Sequence, residues 1–176
     1  RFTVIEQDGQ RVLRVEAERA YGNLVHPLKG TPAGTLAWRW RVDRPASGVD
    51  LRRKSGDDAA LKVCAFFDMP LSQVPFIERQ LLRVASSRAG EPLPTATLCY
   101  VWDATLPPGT LLTNVYTRRV RYIVGSSMAK RWSDEQHDLA ADFRRAFGDE
   151  SHDVPPLTAI VIGADTDNTG SHSIGY

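Results

Sequence analysis

The run with the most obvious chemistry is Asp165-Thr166-Asp167-Asn168-Thr169-Gly170, which sets hard oxygen donors at alternate positions, an arrangement suited to calcium. Tested against the helix-loop-helix calcium loop, it supplies oxygens at positions one, three and five and a glycine at six. Position twelve is Tyr176, where a bidentate Glu is required, and the flanks do not read as helices, so that particular motif is rejected. Two readings stay open. Either Asp165, Asp167 and Asn168 hold a structural calcium in a loop of another kind, or the segment is a turn whose Asp and Asn side chains bond their own backbone.

A second acidic pair, Asp57-Asp58, follows Gly56 and precedes an apolar run at Leu61. These carboxylates could hold a cation, meet Arg39 or Arg41, or shape the loop. Paired acids for glycoside hydrolysis are a further reading, although adjacency on a chain does not set the separation needed across a sugar. The remaining polar and aromatic set is Arg39, Arg41, Lys62, Trp102, Tyr116, Arg118 and Arg121. Flat aromatic faces combined with directional Arg and Asp bonds suit a sugar or small anion, while aromatics on strands also serve simply as core.

Several chemistries lack their signatures. The histidines, His26, His137, His152 and His172, have neither H-x-x-x-H spacing nor a zinc pattern with cysteine. No G-x-S-x-G elbow, P-loop or G-x-G-x-x-G after a strand is present. Cys64 and Cys99 each sit in an apolar run, which reads as buried free thiols, with a disulfide open only if their strands are neighbours.

The elements that position these residues are mostly strands. Asp8-Gly9 between two extended runs predicts an opening hairpin. In Thr35 to Val42 the alternation of Trp38, Trp40 and Val42 with Arg39 and Arg41 predicts a half-buried strand with its Trp face in the core. Further strands are expected at Leu61–Phe67, Thr97–Trp102, Arg119–Val124 and Leu157–Gly163. A short inserted helix is expected from near Pro75. Ser133-Asp134-Glu135-Gln136 matches a capping box, Leu139, Phe143 and Phe147 form a stripe, and Gly148 is a stop, which together predict a helix beginning at Ser133. Short strands without regular strand-helix alternation point to a mainly β, antiparallel sandwich or jelly roll, with one or two helices between strands.

Composition is compatible with one domain spanning residues 1–176, with 42% hydrophobic and 24% charged residues. The net charge of +1 argues against nucleic acid as a partner. No apolar run is long enough for a membrane-spanning helix. The chain opens inside a strand-like run, so a removed leader is compatible with it.

Taken in order, Trp38-Arg39-Trp40-Arg41-Val42, Arg52 to Asp58, Tyr100-Val101-Trp102, Asn114-Val115-Tyr116-Thr117, Ala141 to Gly148 and Asp165 to Gly170 resemble the bacterial domain-of-unknown-function family 3047. The resemblance runs from about Val12 to Gly170. It implies a galactose-binding-like or carbohydrate-module-like β-sandwich and a periplasmic or secreted protein. It brings no activity. The family pattern continues past the Asp-rich run into a Tyr-Gly-Asp motif and a final strand, so a last C-terminal strand is expected to be missing after Tyr176.

Three functions follow as expectations. The first is a non-catalytic binding module of the cell envelope, holding a carbohydrate or small polar ligand near Asp57, Tyr116 and Asp165. The second is a glycan- or ester-acting hydrolase using Asp57, Asp58 and Asp165. The third is a structural or protein-interaction domain.

Overall fold

The structure, a computed structural model, describes residues 1–125 and 127–176. Strands β1 (Phe2–Gln7) and β2 (Gln10–Glu18) form the expected hairpin. Asp8 and Gly9 both take positive φ (54° and 73°), the turn geometry that matches the twist of antiparallel strands. β3 (Tyr21–Thr31), β4 (Thr35–Trp40) and β5 (Val42–Arg44) follow, and then β6 (Ala59–Phe67), helix α1 (Phe76–Ala89) and β7 (Ala96–Val101). The chain continues through β8 (Leu111–Thr113), β9 (Val120–Val124), β10 (Ser133–Asp138), helix α2 (Leu139–Phe147), β11 (Leu157–Asp165) and β12 (His172–Gly175).

These strands make a mainly β, sandwich-like arrangement. A six-stranded sheet runs in the order β3-β11-β6-β7-β9-β8, and a four-stranded sheet in the order β1-β2-β12-β5. β4 and β10 form a separate two-stranded ribbon. His172–Gly175, beyond the Asp-rich run, is itself a strand, paired with β2 on one side and β5 on the other.

The centre of the large sheet is hydrophobic on both faces, which explains why Leu61–Phe67 reads as a nearly continuous apolar run instead of a clean alternation. Leu61, Val63, Ala65 and Phe67 point inward to a core shared with Val15, Val42, Trp40, Tyr100 and Phe143. Cys64 points outward to a smaller cluster with Cys99, Val101, Tyr122 and Val161. The sheet therefore has an inner face, covered by the second sheet, the ribbon and α2, and a more open outer face.

Three expectations change. The pairing is not wholly antiparallel, because β9 lies parallel to β7. The chain leaves β7, makes edge strand β8, and turns back to insert β9 between them. The second helix begins at Leu139 and not at Ser133, since Ser133–Asp138 is strand β10. The apolar stripe starts only at Leu139, so earlier residues have nothing to anchor a helix to the core, whereas as a strand they pair with β4. Asp138 is the cap, accepting from the amides of Ala140 (2.9 Å) and Ala141 (3.1 Å). Helix α1 starts where expected but buries only Leu82, leaving Phe76, Ile77, Leu81 and Val84 exposed.

Cys64 and Cys99, directly opposite one another on β6 and β7, are joined as a disulfide instead of standing as free thiols. The bond closes a separation of 35 residues. By loop-closure entropy, Cys64→Ala with Cys99→Ala is expected to lower the unfolding free energy by about 2–4 kcal/mol in urea denaturation, with thiol labelling of the native protein appearing only after reduction.

Candidate functional site

The outer face of the six-stranded sheet carries a cleft of about 650 Å³. Its floor includes Cys64, Cys99, Thr97, Tyr122 and Val161, and Leu81, Leu82 and Ala85 of α1 wall one end. The other end is polar, with Tyr21, Asn23, Asp57, Lys62, Asn114, Tyr116, Asp165, Asp167 and Asn168. Register explains the assembly. Asp165 pairs with Tyr21 on one side and Ala59 on the other, and Gly163 pairs with Asn23 and Lys62, so residues of three adjacent strands, β3, β11 and β6, share one face. A Cβ at Gly163 would collide with Asn23 Oδ1 and crowd Lys62, so glycine there leaves room for the cleft side chains.

Asp58 organises the polar end. It is buried, and its Oδ1 accepts from the backbone N–H (3.2 Å) and Nδ2 (3.1 Å) of Asn168. Its Oδ2 accepts from the amide (2.8 Å) and hydroxyl (2.6 Å) of Thr169. This carboxylate ties the Asp-rich loop to the start of β6. The Asn168 amide also donates to the Asp57 carbonyl (3.1 Å) and to Asp167 Oδ1 (3.0 Å), while its oxygen accepts from the Tyr116 hydroxyl (3.0 Å). Asn168 thus works as a clamp, and its oxygen faces Tyr116. The carboxylates that converge are Asp58, Asp165 and Asp167, whose oxygens lie within 4.8 Å of one another.

Two carboxylate oxygens at this end are buried without a hydrogen-bond partner, Asp57 Oδ1 and Asp165 Oδ1. Asp57 Oδ2 accepts from Asn114 Nδ2 (2.6 Å), which also reaches the Tyr122 hydroxyl (2.7 Å). Burial raises the Asp57 carboxyl above its ordinary range. Asp165 lies 3.5 Å from Lys62 Nζ, yet burial, reinforced by Asp167 and Asp58, pushes its carboxyl up to about 7. Lys62 is also placed over the Tyr21 ring at 4.6 Å.

The sequence-selected residues divide into two groups. Asp57, Asp58, Lys62, Tyr116, Asp165, Asp167 and Asn168 come together around this cleft. Arg39, Arg41, Trp102, Arg118 and Arg121 do not. Trp102 is buried in the inner core. Arg41 pairs with Asp43, and exposed Arg39 bonds Gln10 and stacks on Trp132. Arg121 turns to the inner face, 3.1 Å from Glu150 and over the Phe147 ring. Arg118 sits at the rim, 3.7 Å from Asp149. Tyr21, Asn23, Asn114 and Tyr122 join the cleft only through the fold. The period-two spacing of Tyr21 and Asn23 was the available signal, but it needs the pairing of β3 with β11 to become a site.

This is a mainly β sandwich with an acidic, loop-clamped cleft on the outer face of its larger sheet. The chain belongs to the family of proteins of unknown function DUF3047, which it matches over residues 1–176. No curated protein matches it.

Two measurements follow from the charges. Arg119 and Glu150 are both nearly fully buried (4% and 3% side-chain exposure) and 2.6 Å apart, with Arg121 beside them. Glu150→Ala is expected to cost about 3–5 kcal/mol in urea denaturation by stranding buried cations, and Asp149→Ala at the exposed Arg118 pair under about 0.5 kcal/mol. For Asp165, the folded carboxyl keeps its proton up to about 7 against an ordinary 3.8, so its contribution favours the fold at low pH and is lost as pH rises between those values. Asp165→Asn should therefore gain melting temperature relative to the parent at about pH 8 and gain less at about pH 5.

Proposed function

We propose that this protein is a non-catalytic binding module of the bacterial cell envelope that holds a carbohydrate or similar small polyhydroxylated ligand in the outer-face cleft. The observation that carries the reading is the pair of buried, unpartnered acceptors, Asp57 Oδ1 and Asp165 Oδ1, at the polar end of that cleft. Such oxygens are costly to bury unless a donor or cation completes them, and ligand hydroxyls are suitable donors. Tyr21 and Tyr116 add aromatic surface beside them. Asp58, Asp165 and Asp167 would bind calcium as a co-ligand, three carboxylates being an adequate start to an oxygen shell. The Cys64–Cys99 bond supports the envelope placement, because disulfides persist in oxidising compartments. Asp58 already accepts bonds from Asn168 and Thr169, which favours a structural task for it over a nucleophilic one.

The test is a thermal-shift titration with calcium, EDTA and a panel of mono- and oligosaccharides. A ligand specific for the native state raises the melting temperature by mass action, by an amount set by its concentration over its Kd. The expected result is a rise with calcium, a sugar or both, abolished in Asp57→Asn and Asp165→Asn. The calcium arm should strengthen from about pH 6 to about pH 8, because the cation must displace the Asp165 proton. A flat response across the panel overturns the reading. Turnover of nitrophenyl glycosides or esters that disappears in Asp165→Asn would replace it with hydrolysis, since a carboxyl titrating near neutrality suits a general acid.

A further inference from the structure

A second cavity, of about 420 Å³, lies on the other side of the large sheet, between β2 and β4. Its floor is Val63, Ile160 and Ile162, and its walls include Leu13, Leu36, Trp38 and Trp40. The volume is in the range of small-molecule sites, and the lining is predominantly apolar. Two features show what it would accept. The indole N–H groups of Trp38 and Trp40 are buried and have no hydrogen-bond partner. Unpaired buried donors are uncommon, and here both belong to residues lining one cavity. Exposed Arg11 and Arg39 also line it, and neither is ion-paired among the described residues. Arg39 is held in place by Gln10 of the hairpin and by Trp132, whose ring lies 4.6 Å below the guanidinium.

The slot thus has apolar walls, with two guanidinium groups, donors only, at its exposed end, and Lys62 as a further cation in its lining. We propose that it binds a small apolar anion, an acyl or aryl carboxylate whose hydrocarbon body enters between β2 and β4 while its charged head meets Arg11 and Arg39. A guanidinium matches a carboxylate with two parallel bonds, and the hydrocarbon gains from burial against Leu, Ile and Trp. This site opens on the other face of the sheet from the outer-face cleft, shares only Lys62 with it, and stands as a proposal independently of what that cleft binds.

The experiment is isothermal titration of the whole chain with dodecanoate below its micelle threshold, beside dodecyltrimethylammonium as a cation of equal chain length. Dodecanoate is expected to bind once per chain and the cation at least roughly tenfold more weakly. Arg11→Gln with Arg39→Gln, both on exposed positions, should weaken dodecanoate by roughly tenfold or more, the usual effect of losing charge-assisted bonds. Leu36→Trp should fill the slot and abolish binding while the circular dichroism stays native, and Tyr116→Phe in the other cleft, away from Lys62, should leave the affinity unchanged. No binding of dodecanoate, equal binding of the cation, or an affinity indifferent to the paired arginine change would overturn the proposal.

Discussion

Everything else in this fold depends on β6 being buried on both sides. A strand in that position has to send alternate side chains into two different environments, and here they are a large core and a small one. Leu61, Val63, Ala65 and Phe67 hold the second sheet, ribbon and α2 against the inner face. Cys64, one residue out of phase, holds the outer face through its bond to β7. Lys62, also out of phase, is thereby delivered beside Asp165. A one-residue slip in register would exchange the two sets, so the packing of the core and the composition of the cleft are fixed by the same constraint.

The cleft in turn depends on a side chain that does not need to meet a ligand. Asp58 satisfies two residues of the Asp-rich loop at once, and this orders a segment that would otherwise be a free turn. Its neighbour Asp57 is left with one oxygen unanswered. Adjacent residues on one chain therefore do opposite things, because successive side chains at the start of a strand face different surroundings.

Local patterns carried much of this into the sequence. The Asp8-Gly9 hairpin, the alternating Trp strand, the helix after Pro75 and the stripe of Leu139, Phe143 and Phe147 are all short-range features, and all are present. The capping-box pattern at Ser133 misled because capping is a local preference, and pairing of that segment with β4 outweighed it. The acidic residues of the cleft were legible as donors. Their partners were not, since Tyr21 and Asn23 reach Asp165 only through strand register across more than a hundred residues, and the arginines looked equivalent until Asp43 and Glu150 engaged two of them.

The order of strands in the smaller sheet has a consequence for how the chain is made. β12 fills the place between β2 and β5, and its His172 reaches Glu16 across a separation of 156 residues. For a polypeptide emerging from its N-terminus, the β1–β2 hairpin is made well before β12, and the edge that β12 will occupy stays unpaired in the interval. Contacts so distant along the chain form slowly. The nascent hairpin thus spends that interval as an open strand edge, the kind of surface that chaperones cover and that neighbouring copies can join.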